Sequence, residues 1–126
     1  MPAVSFDYAI IRVVPRVERQ EFINVGVLIY CRPQRFLQAG IEVDERLRAF
    51  APTLDFELLE AYLQTIPQVC AAAGPLGQLP QQERFHWLVA PRSTIIQFSP
   101  VHTGLCENPQ AELERLMEAM VRQVNR

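Results

Sequence analysis

The chain has 126 residues, 49% hydrophobic and 21% charged, with a formal net charge of −2. That is the length of one domain, apolar enough to build a core and too apolar for wholesale disorder. The slight acidic excess argues against a nonspecific nucleic-acid binder, which needs a basic surface, and because all 12 basic residues are arginine, lysine Schiff-base and Walker-lysine chemistry are excluded.

Residues 4–14 alternate in the manner of a strand, with Phe6, Tyr8, Ile10, Arg12 and Val14 on one side and Ser5, Asp7, Ala9, Ile11 and Val13 on the other. The apolar run FINVGVLIYC at 22–31 predicts a second strand, joined to the first by the charged loop PRVERQE as an antiparallel hairpin. If that hairpin is symmetric about Glu18, Arg12 opposes Asn24 and Ile10 opposes Gly26. A third strand is predicted at 36–43. Asp44 can then cap a short helix ending before Pro52. From Asp55 the residues Leu58, Leu59, Tyr62, Leu63, Ile66, Val69 and Cys70 recur at helical spacing, and Pro67 is expected to kink or split that helix near Thr65. After the turn-rich GPLGQLPQQE, the segments FHWLVA and TIIQFS read as a pair of strands around Pro91, Arg92 and Ser93. The chain then ends in a helix capped by Asn108. Its stripe is Leu113, Leu116, Met117, Met120, Val121 and Val124, with Glu118 and Arg122 as an i,i+4 pair.

Strands in hairpin order and two longer helices predict a single α+β domain over residues 1–126. Its form is a two-layer sandwich with a mostly antiparallel sheet packed against the two longer helices. The N-terminus lacks a basic region and a cleavage site, no apolar run reaches a membrane span, and Cys31, Cys70 and Cys106 form no CxxC pair. A cytoplasmic protein with free thiols, no disulfide, no bound metal and no cofactor is expected.

Three stretches, YAIIRVVP, EFINVGVLIYC and ERFHWLVAPRSTIIQFSPVHTGL, resemble a bacterial family known as domain of unknown function 3037. Members often carry Arg-Gly-Glu before the phenylalanine of the second strand. Here the matching residues are Arg19, Gln20 and Glu21, so the residue that takes positive φ at no cost is missing. The resemblance implies a cytosolic bacterial protein, with a gene neighbourhood that sometimes holds a kinase similar to persistence-toxin kinases. It implies no catalytic residues.

No motif for catalysis stands out. A Ser93 or Ser99 triad with His102 lacks GxSxG, and both serines sit beside prolines as turn residues do. His102 and Cys106 are one loose pair where zinc sites need close sets. The polar set singled out as a binding site is Arg12, Asn24, Gly26, Arg92, Ser93, Thr94 and His102. Arg12 interrupts an apolar face and needs a partner such as Glu21 or Asp7, Gly26 leaves room for a ligand, and Arg92-Ser93-Thr94 offers donors to an anion. The expected function is a non-catalytic binding or interaction module, accessory to a kinase-like partner, with self-association left open. The alternative is a small enzyme or sensor that takes an anionic metabolite through Arg12, Arg92 and His102.

Overall fold

The computed structural model describes residues 2–92 and 94–122. Ser93 of the polar set and Val124 of the final stripe lie outside them. Strands β1 (Val4–Val13), β2 (Ile23–Cys31) and β3 (Phe36–Ile41) form an antiparallel meander. The free edge of β1 then pairs with two later pieces, β4 (Ile96–Phe98) along Ile11–Val13 and β5 (His102–Cys106) along Val4–Tyr8. Ser99 bridges them: its backbone amide donates to Ile10 O, and its hydroxyl accepts from Ile10 N at 2.8 Å and donates to Pro100 O at 2.9 Å. The hydroxyl completes the sheet, and its proton is given to a backbone carbonyl.

The helices are α1 (Glu45–Phe50), α2 (Phe56–Cys70), α3 (Gln81–Val89) and α4 (Pro109–Met120). Asp44, Asp55 and Asn108 cap α1, α2 and α4, each accepting from an amide of the first turn, and a short capped start satisfies donors that the helix itself cannot.

The α+β class and the antiparallel sheet packed on helices are as the pattern predicts, but the helices divide between the two faces of the sheet. Val27, Ile29 and Cys31 of β2 pack with Leu113, Leu116 and Met117 of α4. Leu28 and Tyr30, the alternate residues, pack with Leu59 and Leu63 of α2 and Phe85 and Leu88 of α3. Every residue of β2 from Val25 to Cys31 is therefore buried. A strand covered on both faces reads as a continuous apolar run, not as an alternation, and that is why the sheet is a middle layer where a two-layer form was expected.

Two local expectations are corrected. FHWLVA is not a strand: it lies in α3, where Phe85 and Leu88, three apart, point to the core while His86 and Trp87 are exposed. Aromatic and β-branched residues favour strands in isolation, and burial at helical spacing overrides that preference here. The strand pair expected over 85–99 is replaced by β4 and by a further strand, β5. Pro67 does not split α2, which runs unbroken to Cys70. The proline falls near the helix end, where it removes one backbone bond, and the buried Leu59, Leu63, Ile66 and Cys70 hold the helix through it.

The hairpin register holds in part. Arg12 opposes Asn24 as expected, but a bulge between Ile11 and Arg12 brings Ile11, not Ile10, opposite Gly26. The loop contains a left-handed residue, Gln20 at φ 60°, a backbone that glycine takes freely and L side chains rarely adopt.

Candidate functional site

The polar set singled out from sequence is dispersed. Arg12 lies on the α4 side of the sheet, beside Asn24 and Gln97. Its guanidinium sits 4.2 Å from the centre of the Phe22 ring, and its buried Nε has no hydrogen-bond partner among the described residues. The carboxylates expected to pair with it are engaged elsewhere. Glu21 accepts from Arg19 Nε at 2.5 Å, which holds its carboxyl below the usual range, and Asp7 accepts from Thr103 Oγ1 at 3.0 Å. Asn24 Nδ2 donates to Met120 O at 3.2 Å and so caps the end of α4.

Gly26 opens no ligand space. A Cβ there would stand 2.3 Å from Gly40 O and 3.1 Å from Ile11 Cδ1, so the backbone of β3 and a core side chain already fill the site. His102 begins β5 opposite Tyr8, with ring centres 5.4 Å apart. Tyr8 and Arg12 are four residues apart on β1, roughly 13 Å along a strand, so Arg12 and His102 share a face but not a site. Arg92 stands on the opposite face, beside core residues of the α2–α3 side. The three groups expected to grip one anion are not assembled.

Arg92 and Thr94 do meet, and what they border is a cleft of about 630 Å3 between α2, the end of α3 and β4. Its floor is Leu59, Leu88, Ile96 and Phe98. Its walls are large apolar side chains left open to solvent: Leu58 (50% exposed), Tyr62 (57%), Trp87 (48%) and Ile95 (41%). The polar groups around it are turned to nearby backbone. Asp55 Oδ1 accepts from Leu58 N, Thr65 Oγ1 donates to Tyr62 O, and Thr94 Oγ1 donates to Ile96 O. Arg92 donates to Leu88 O at 2.6 Å and Trp87 O at 2.7 Å, and lies 4.8 Å from the centre of the Trp87 ring. This guanidinium caps the C-terminal end of α3, where carbonyls and the helix dipole favour a cation, and it stands at the rim.

Sequence reading placed Leu58 and Tyr62 in the core stripe of α2 and Trp87 in a core strand. What separates them from the core is tertiary. It does not lie in the local pattern, because neighbouring apolar pairs such as 58/59 and 62/63 are what a fully packed stripe also shows.

Among the described residues no three His, Cys, Asp or Glu side chains cluster as a metal set would, and no helix is long and apolar enough to cross a membrane. Cys31, Cys70 and Cys106 are buried free thiols, and burial pushes the Cys70 thiol up to about 12, far from the reactive range.

Fold and site define a small α+β domain with an open, carbon-walled cleft. The chain belongs to the family described as Protein of unknown function (DUF3037), whose model matches residues 8–121. No curated protein and no solved structure matches it at a significant level.

Proposed function

We propose that this protein is a non-catalytic protein-interaction module and that the cleft between α2, α3 and β4 is its contact surface. The observation that carries the reading is the cluster of Leu58, Tyr62, Trp87 and Ile95, each 41–57% exposed around one cleft. Contiguous exposed apolar surface of this kind marks interaction sites, whereas single scattered residues do not. Trp87, Tyr62 and Arg92 are also the residue types that dominate binding energy at interfaces. The anionic-metabolite reading has less support, because Arg12, Arg92 and His102 lie on two faces.

A kinase-like protein from the same cell is the first partner to test, on the strength of the family resemblance. The experiment is an affinity capture from the native host with full-length wild type and Leu58→Glu as baits, both checked for an unchanged melting point. A protein retained stoichiometrically by wild type and lost from Leu58→Glu is the expected result. A partner retained equally by both baits refutes the cleft as its surface. A small-molecule thermal shift on the same preparation, with no protein retained, would favour a metabolite sensor.

A further inference from the structure

We infer that the occupant of the cleft is an amphipathic helix of the partner, with apolar side chains against Leu58, Tyr62 and Trp87 and a carboxylate against Arg92. This inference rests on the reading of the cleft as a protein-contact surface. The first argument is the chemistry of the wall. Asp55, Thr65 and Thr94 are bonded to nearby backbone, so apart from Arg92 and the tips of Tyr62 and Trp87 the cleft offers few free side-chain donors or acceptors. An extended segment laid on such a wall would leave its own amides and carbonyls unsatisfied, at a cost comparable to lost hydrogen bonds. A helix satisfies its backbone internally and presents only side chains.

Strand addition is disfavoured for a second reason. The strand at the cleft, β4, is only Ile96–Phe98, and Ile96 O already accepts the Thr94 hydroxyl. Pro100 follows two residues after the strand. An edge this short and partly occupied is a poor template. The dimensions suit a helix. The cleft is bordered by α2 from Asp55 to Ile66, about 16 Å at the helical rise, or three turns. A three-turn partner helix presents side chains at i, i+3 or i+4 and i+7 along that length.

Charge sets the remaining term. Arg92 makes no ion pair among the described residues, and the two carbonyls it serves leave part of its set of about five donors free. The other charged residue on the cleft, Asp55, is engaged as the cap of α2. A cation fixed at the edge of an apolar wall favours a carboxylate beside the partner's apolar stripe.

The test is a random-peptide display selection on the full-length protein, followed by fluorescence anisotropy with synthetic copies of the enriched peptides. Enriched sequences should carry apolar residues at helical spacing with an Asp or Glu within one turn of them, and should gain helical circular dichroism on binding. Affinity should fall roughly tenfold or more for Arg92→Glu and recover when the peptide acid is changed to lysine, a rescue that a merely structural role for Arg92 would not give. Arg92→Gln, with its melting point measured, covers the case in which the charge reversal unfolds α3. Peptides that ignore Leu58→Glu would overturn the cleft reading itself. Peptides that lose binding in Leu58→Glu, but lack helical spacing or ignore Arg92, overturn only the helix. No enrichment, or competition by dodecanoate and not by peptides, overturns the helix as well.

Discussion

Arg84→Met is the sharpest test of how the α2–α3 side is held together. Arg84 is 6% exposed. Its Nε donates to Leu79 O at 3.0 Å, and one terminal nitrogen donates to Val69 O and Cys70 O, each at 2.8 Å. One side chain of α3 thus ties down the C-terminal carbonyls of α2, where a cation is favoured. Methionine follows its aliphatic stem as far as the Nε position and donates nothing. Val69 O would keep the amide of Ala72, but among the described residues no turn amide serves Cys70 O or Leu79 O. Two orphaned acceptors cost about 1–3 kcal/mol each. Relief of the buried guanidinium and the apolar methionine return part of that. The net loss should be about 2–4 kcal/mol, against the smaller loss of a typical substitution. With a urea slope of about 1–3 kcal/mol per molar, the midpoint should fall by roughly 1–2 M. Arg84→Lys, which keeps the charge but reaches fewer carbonyls, should lie between. A methionine variant within about 0.5 kcal/mol of wild type would refute the reasoning, because the desolvation of the guanidinium would then equal all that its bonds contribute.

Two further outcomes follow from named residues. The Cys70 thiol is pushed up to about 12 from an ordinary 9.0, first by burial. Its folded form therefore holds the proton more tightly than the unfolded chain, so its contribution is complete below pH 9 and lost as pH rises from 9 toward 12. By pH 10.5 the loss is about 2 kcal/mol; urea midpoints at pH 8 and 10.5 should diverge more in wild type than in Cys70→Ala, and equal divergence would remove the effect. At Gln20, φ is 60° and Nε2 donates to Val17 O at 2.9 Å. Gln20→Gly should be more stable than Gln20→Ala by about 1 kcal/mol, since both lose the side-chain bond and only glycine takes this backbone without strain; the reverse order in thermal melts would sink the account.

Much of the framework was legible because it is written in local periodicity and capping chemistry. The alternation of 4–14, the apolar run of 22–31 and the Asp44, Asp55 and Asn108 caps each determine an element from its own neighbours. The same holds for the Glu118–Arg122 pair, which the structure extends with Glu114 and Glu42. The α+β class followed from the order of those elements. What the sequence could not decide depends on residues far apart in the chain. FHWLVA has strand-like composition, and its helical form goes with burial of Phe85 and Leu88 in a core shared with Tyr30, whose ring centre lies 5.4 Å from that of Phe85. The bulge that moves Gly26 to Ile11 turns on pairing with β1 and β3. The polar set is dispersed for two reasons. Asn24 meets Met120 at 96 residues' separation, whereas Arg92 is taken up locally, by carbonyls four and five residues before it in a segment whose composition is strand-like. A side chain's polarity is a local property, but whether it is satisfied is not. The cleft is the clearest case: Leu58 and Tyr62 are apolar residues of an apolar stripe, and only the distance left between α2 and β4 decides that they face solvent.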